Sequence, residues 1–485
     1  MESKGSLETS PILSLKKTSG KSHSPTPDPM ELTTMGAEQR EGCNGLGNPD
    51  EDGLNVWQAA IIIVGLCMDF SLLSVEALVV STGWIGFLLA TVSCCALVYT
   101  AVLLGRCWGM VGDKWQTERH PFAAIAYEAC GDWARSAMNV IVGICCFTVT
   151  IGVITMTSEN LFILGGPALH GKFCLFPPVI AAVAYPFMWY GTPKDIWQLS
   201  GLGALTGSFA YVLLLIATVA TSNKPDMADD SNASSVSDVA PSSVVRGNFL
   251  VHLAEICGIT QVAIAAHFVL PSVYQDMKHP EKYSKTVLAS YGFIFSLALP
   301  LLAATWAFQR DLLADATADS TVLAVLEVGP LSVVPGVLFL VRNTAVMVTC
   351  NNPLFQSLEE QLDVPSEFNW KRVILRTSVL LIQVFISETI PHFGVIFTLV
   401  GGCCLPVVSF LAPAFCYLRL RNIHRPEKYR ESKSVWVLET VVCWLIIAIT
   451  PILIVTVLYV LGSGIFQGKT VFTVPCYINA TLSHE

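Results

Sequence analysis

Long apolar stretches alternate with short polar ones along most of this chain. About eleven of these stretches are close to the ~20 residues that an α-helix needs to cross a bilayer. The predicted spans, numbered in chain order, are 56–80, 82–105, 135–158, 175–193, 199–221, 249–271, 286–308, 331–350, 373–393, 394–418 and 435–461. The pattern therefore predicts an all-α polytopic membrane protein.

The segments outside the spans divide the chain into three regions. Residues 1–54 are rich in Ser, Thr, Pro, Gly and charge, which is typical of a disordered tail. Residues 55–461 form the predicted membrane domain, and residues 462–485 form a short C-terminal tail. Within the first tail, residues 8–13 (ETSPIL) resemble an acidic dileucine signal for sorting adaptors, or they are plain linker.

Composition agrees with this class and excludes several others. The chain is 53% hydrophobic and only 13% charged, with a net charge of -9, whereas a soluble protein has about 25% charged residues. The bilayer is therefore the expected environment. No basic stripe indicates a nucleic-acid partner. No loop carries a kinase-like, hydrolase-like or phosphate-cradling motif, so we do not expect an enzyme.

The chain has 16 cysteines, and most of them lie in apolar runs where they act as small hydrophobic residues. No pair has the spacing of a zinc site, so no metal site is predicted. Cys174 and Cys476 instead fall in loops predicted to lie on the same side of the membrane. A disulfide between them and two free thiols are both open alternatives.

The distribution of basic residues predicts the orientation. Lys and Arg are concentrated in the loops that a cytosolic N-terminus would place in the cytosol. The glycosylation sequons at Asn232 and Asn479 fall on the opposite side, where glycosylation occurs. We therefore expect a glycoprotein with a cytosolic N-terminus and a lumenal or extracellular C-terminus.

Span 6 is apolar enough to enter a bilayer, yet it contains Gly258, Thr260, Gln261 and His267 and ends at Pro271. A broken span with polar groups usually lines a cavity and not the lipid. This predicts half of a substrate site in a transporter. In the alternative interpretation, Gly258 allows close helix packing and Thr260 bonds its own helix.

Three segments carry a family resemblance. Residues 121–143 (PFAAIAYEACGDWARSAMNVIVG), 265–285 (AAHFVLPSVYQDMKHPEKYSK) and 390–421 (IPHFGVIFTLVGGCCLPVVSFLAPAFCYLRLR) resemble the amino acid/auxin permease family. Among its branches, the chain is most similar to the vesicular inhibitory amino acid transporters. The resemblance implies a leucine-transporter-type fold, in which spans 1–5 and 6–10 form inverted repeats and one further helix follows.

The same resemblance implies that spans 1 and 6 are discontinuous and meet at the substrate site. Unwound backbone offers N–H groups to the carboxylate of an amino acid and carbonyls to its ammonium. The implied substrate-binding candidates are Gly65, Asp69, Ser71, Gly258, Thr260 and Gln261.

Span 1 departs from the family pattern, with Ser74 and Glu76 where Gly and Pro are expected. This puts the unwinding of span 1 in doubt. Asp69, near mid-span, has three candidate roles: it carries a coupling proton, it binds a cationic substrate, or it forms an ion pair with Arg342 of span 8. Glu76 is expected at the level of the lipid headgroups.

The candidates for proton coupling are Asp69, His267 and Arg342. A histidine titrates near pH 6.5 in model peptides, so His267 is either a proton-linked switch or a structural residue near the cytosolic end of span 6. Together these features predict a secondary active transporter of amino acids or related small amines. It would work by alternating access and be driven by a proton gradient, without a cofactor.

The alternative is an amino acid sensor that has kept the transporter fold without transport. The expected location is an intracellular vesicle, a lysosomal or vacuolar membrane, or the plasma membrane.

Overall fold

The computed structural model describes residues 53–115, 118–165, 172–189, 196–222, 249–314, 316, 320–326, 329–365, 368–390, 392–424, 433–466 and 475–478. Residues from Leu54 onwards belong to one compact unit. The predicted sorting signal and both sequons, Asn232 and Asn479, lie outside the described residues.

The described chain is built from α-helices. Their bounds are α1 Val56–Cys67, α2 Phe70–Thr82, α3 Trp84–Val111, α4 Pro121–Cys130, α5 Asp132–Gly165, α6 Phe176–Trp189, α7 Ile196–Ser222, α8 Phe249–Ile264, α9 Leu270–Asp276, α10 Tyr283–Phe308, α11 Pro330–Gln361, α12 Trp370–Thr389, α13 Phe393–Leu399, α14 Ala412–His424 and α15 Lys433–Phe466. Two π-helical segments, Val400–Cys404 and Val407–Leu411, lie between α13 and α14.

The described residues contain seven helical stretches that are long and apolar enough to cross a membrane. Some of these stretches join consecutive helices end to end. A further span is formed by α1 and α2, which are bent by 57° at a short break. These observations confirm the all-α membrane fold. The exact count of eleven spans stays a prediction, because α6 has only 14 residues and α12 carries the basic residues Lys371, Arg372 and Arg376.

The two broken spans lie inside the bundle. Span 1 consists of α1 and α2, and span 6 consists of α8 and α9. Helix α1 packs against α7 and α10, while α2 packs against α8, α3 and α10. Helix α11 packs against α5 and α7 and closes the other side of the first break. This packing puts polar groups at the breaks within protein and away from lipid, as an irregular backbone at membrane depth requires.

The segment before α1 pairs with the turn after α9. The amide of Leu54 donates to the carbonyl oxygen of Asp276 at 2.6 Å, and the amide of Lys278 donates to the carbonyl oxygen of Leu54 at 2.9 Å. These two hydrogen bonds form a single parallel β-bridge between Leu54 and Met277. The start of span 1 is thereby joined to the end of span 6.

A disulfide joins Cys174 to Cys476, whose Cα atoms are 5.3 Å apart. The amide of Cys476 also donates to the carbonyl oxygen of Glu388 at 2.9 Å. The ring of Tyr477 stacks on Phe385, with 5.5 Å between centroids. Of the two alternatives left open by the sequence, the bridge is the one that the structure contains, and it holds residues 475–478 against the end of α12.

Candidate functional site

The first span is broken between Cys67, the last residue of α1, and Phe70, the first residue of α2. Asp69 has an extended backbone, and its amide donates to the carbonyl oxygen of Cys67 at 2.9 Å. The doubt about unwinding was therefore wrong: the span is interrupted without a glycine or proline at the break. Side chains from other helices stabilise the break by binding its backbone oxygens.

Arg342 of α11 binds both sides of this break. Its Nη2 donates to the carbonyl oxygens of Gly65 at 3.1 Å and Leu66 at 2.6 Å. Its Nη1 donates to the carboxylate of Asp69 and to Oδ1 of Asn343 at 3.2 Å. The last carbonyls of a helix have no partner within the helix, and a guanidinium offers five donors in a fixed fork. Arg342 thus satisfies the end of α1 and neutralises Asp69.

Asp69 has two further partners. The hydroxyl of Ser71 donates to its Oδ2 at 3.0 Å, and the hydroxyl of Tyr211 on α7 donates to its backbone oxygen at 3.2 Å. Of the three roles considered for Asp69, the ion pair with Arg342 is the one seen in this conformation. Ser71, a predicted substrate-binding residue, holds this carboxylate in place.

Gly65 lies where α1 touches α7. A Cβ atom on Gly65 would stand 2.2 Å from the backbone oxygen of Ser200, which is far closer than atoms pack. Only a residue without a side chain allows this approach. Gly65 therefore contributes to the break in two ways. Its carbonyl oxygen accepts a hydrogen bond from Arg342, and its lack of a side chain lets α1 pack closely against α7.

The second break lies between Ile264, the last residue of α8, and Leu270, the first residue of α9. The hydroxyl of Tyr291 on α10 donates to the carbonyl oxygen of Ile264 at 2.7 Å. The thiol of Cys67 donates to the same oxygen at 3.5 Å. The ends of α1 and α8 therefore meet, and the two breaks form one site.

The three substrate-binding candidates of span 6 do not lie in this break. Gly258, Thr260 and Gln261 lie within the continuous helix α8. A Cβ atom on Gly401 would stand 1.9 Å from the carbonyl oxygen of Gly258, so this pair brings α8 close to span 10. The hydroxyl of Ser409 donates to Oε1 of Gln261 at 2.7 Å. Thr260 is buried, and its hydroxyl has no hydrogen-bond partner among the described residues.

His267 lies inside the second break, between α8 and α9. Its Nε2 is hydrogen-bonded to the hydroxyl of Thr100 on α3 at 3.0 Å. The residue is 1% exposed, and its Nδ1 has no partner in the described part of the chain. His267 therefore ties the unwound segment to α3.

A small cavity of about 20 Å³ lies between the two breaks, with room for about one water molecule. It is lined by Leu66, Cys67 and Asp69 from the first break and by Ala265, Ala266 and Phe268 from the second. Apolar residues of α5, α11 and span 10 complete the wall, among them Val149, Val153, Val346 and Leu405. Among the described residues, no cluster of His, Cys, Asp and Glu could hold a metal ion.

Glu76 is a residue whose surroundings the sequence did not predict. It lies in the middle of α2 and is 3% exposed, enclosed by protein. Neither of its carboxylate oxygens has a hydrogen-bond partner in the described parts of the chain. The signal that could have indicated its burial is its place in an apolar run, two helical turns after Asp69.

Comparison with known proteins places the chain in a family. Residues 52–461 match the family described as "Transmembrane amino acid transporter protein". The Arabidopsis thaliana amino acid transporter AVT1H is 22% identical over 370 residues, which cover 75% of this chain and 81% of that protein. The Arabidopsis thaliana amino acid transporter AVT1B is 22% identical over 396 residues, with coverages of 78% and 66%.

Solved structures share the fold. A manganese transporter of Eremococcus coleocola, in complex with an aromatic bis-isothiourea compound, aligns with a TM-score of 0.51 at 15% identity, covering 85% of this chain and 87% of that one. The likeness, together with the two broken spans, confirms the leucine-transporter-type fold. The family match also agrees with the expectation that the chain is not an enzyme. The chain therefore belongs to the transmembrane amino acid transporter family.

Proposed function

We propose that this protein carries amino acids or related small amines across a membrane by alternating access, with the substrate bound between the two breaks. The observation that carries the proposal is the cavity lined by both broken spans, with the end of α1 touching the end of α8. The relatives named as amino acid transporters support the substrate class.

The broken spans offer complementary charges to an amino acid. The first turn of α2 is the positive end of a helix dipole, which favours a carboxylate. The last turn of α8 has the opposite polarity and favours an ammonium group. Asp69 lines the cavity, while Gly65 and Ser71 position its surroundings. Gly258, Thr260 and Gln261 would act from within α8, by shaping its packing against span 10.

Alternating access explains why the cavity is small. In the described conformation it is too small for an amino acid, so substrate entry requires movement of helices at one side of the site. A proton gradient is the proposed driving force, with no cofactor. Asp69, His267 and Arg342 remain candidates for the coupling machinery. The proposed location is a vesicular, lysosomal, vacuolar or plasma membrane, with the N-terminus in the cytosol.

Counterflow in proteoliposomes tests the transport proposal directly. Proteoliposomes that contain the full-length protein would be loaded with each of the twenty amino acids, GABA or small amines. Exchange of the loaded compound for external labelled substrate would then be measured. Ala266→Met should block exchange, because the larger side chain fills the cavity. Ala182→Met, on the exposed face of α6, should leave exchange unchanged. Binding without exchange for every compound would reject the transporter proposal and favour the sensor.

A further inference from the structure

Glu76 is enclosed by protein. Helix α2 packs against α8, α3 and α10, and the carboxylate of Glu76 finds no hydrogen-bond donor among the described residues. An ionised carboxylate isolated from water and from donors is strongly disfavoured, and such a group takes up a proton instead. In this conformation Glu76 is therefore a neutral carboxylic acid.

The contrast with Asp69 supports this assignment. Both acids lie on span 1, but Asp69 accepts hydrogen bonds from Arg342 and Ser71. Asp69 has its charge compensated within the fold, while Glu76 has no such partner in the described chain. One span thus carries an acid that is paired with a cation and another that has no such partner among the described residues.

The charged groups on the surrounding elements lie close to other charged residues or are exposed to solvent. On α8, His252 lies 3.9 Å from Glu255. On α3, Arg106 pairs with Glu439 at 2.6 Å. On α10, Lys285 is exposed at the far end of the helix.

Two further groups lie near α2. Just beyond α10, Arg310 and Asp311 pair at 3.5 Å and are largely exposed. Tyr211 of α7 lies beside the start of α2, where its hydroxyl donates to the backbone oxygen of Asp69 at 3.2 Å. A neutral tyrosine does not compensate a carboxylate charge, so Glu76 depends on a proton.

We infer that Glu76 is a proton-binding site that couples the transport cycle to the pH difference across the membrane. When movement of α2 admits water, the O–H bond of the acid breaks. The electron pair stays on the carboxylate oxygen and the proton passes to water. Closure of the bundle over Glu76 requires the reverse step. The inference rests on the proposed transport function and names the group that links it to protons.

The test compares Glu76→Gln with wild type in proteoliposomes. Glutamine mimics the protonated acid but cannot release a proton. We expect Glu76→Gln to lose accumulation driven by a pH gradient, down to the level reached without a gradient, and to keep counterflow at equal pH. Glu388→Gln is the matched control, because Glu388 lies partly exposed at the end of α12; it should keep both activities.

Accumulation by Glu76→Gln equal to that of wild type would overturn the inference. Accumulation that depends on sodium and not on protons would also overturn it. A Glu76→Gln protein that is less stable than wild type or has lost counterflow would do the same, because a neutral side chain should fit the site. If wild type shows no counterflow with any compound, the proposed transport function fails instead.

Thermal unfolding then still tests the proton site. The folded state holds a proton that the unfolded state lacks at neutral pH, so the melting temperature should fall as pH rises. This dependence should be weaker in Glu76→Gln, and an unchanged dependence would overturn the inference.

Discussion

One guanidinium, that of Arg342, holds both the carboxylate of Asp69 and the carbonyl oxygen of Leu66, the latter at 2.6 Å. Because these two groups lie on opposite sides of the first break, α11 fixes α1 and α2 relative to each other. The break is therefore a property of the assembled bundle, and its stability depends on a residue far away in the sequence.

Removing Arg342 should be strongly destabilising. Arg342→Met leaves Asp69 as an uncompensated buried charge, which costs about 3–5 kcal/mol. The double variant with Asp69→Asn should lose less stability than the sum of the two single variants, because it removes both charges. Thermal unfolding measures this coupling, with Arg310→Met, an exposed arginine, as the control. Strict additivity would show that the pair contributes no interaction energy.

Gly65 should not tolerate a methyl group. Gly65→Ala places a Cβ 2.2 Å from the backbone oxygen of Ser200, so α1 and α7 must move apart at a cost of about 1–3 kcal/mol. Gly292→Ala in α10 is the matched control, since a Cβ there meets nothing within 4 Å. Melting temperatures of the two variants provide the comparison, and equal values would refute the packing argument.

The hydrogen bond between His267 and Thr100 should fix the second break. Thr100→Val keeps the side-chain shape but leaves the Nε2 of His267 without its partner, at a cost of about 1–3 kcal/mol. We also expect slower counterflow, because the unwound segment lines the cavity. Thr456→Val is the control, because the Thr456 hydroxyl on α15 is exposed and donates to Ile452 of its own helix. Wild-type counterflow and stability in Thr100→Val would contradict this role.

The disulfide should stabilise the folded protein. Cys476→Ser opens a link between residues 302 positions apart, and losing such a bridge typically costs about 2–4 kcal/mol. Reduction of wild type should lower its melting temperature to a similar extent, and Cys95→Ser, at an exposed free cysteine, should leave it unchanged. Thiol labelling before and after reduction reports whether the bridge is present.

Glycosylation tests the predicted orientation. Asn232→Gln and Asn479→Gln should each increase electrophoretic mobility, because the distribution of basic residues predicts that both sequons lie on the lumenal or extracellular side. Treatment with an N-glycosidase should abolish the differences. A wild-type protein without glycan at either sequon would remove the support that these sites give to the orientation.

The sequence predicts the helices well because length and apolarity alone determine a membrane span. It locates the second break only roughly. Pro271, at the start of α9, marks the region, whereas the polar residues Thr260 and Gln261 pointed to positions that are helical. Polar side chains within a span indicate burial in protein, but they do not tell an unwound segment from a helix packed against its neighbours.

The first break and Glu76 could not be predicted locally. Met68 and Asp69 have no intrinsic tendency to end a helix in the way that proline has, and the break is satisfied by Arg342, from a distant span. Likewise, the burial of Glu76 depends on the neighbours that enclose α2. Both features follow from tertiary contacts that a single sequence does not reveal.

The β-bridge between Leu54 and Met277 has a mechanical consequence. It links the start of α1 to the end of α9. Neither helix can move away from the site unless the other moves with it or both hydrogen bonds break. The side of the site on which α1 begins and α9 ends would thus open in a single concerted step.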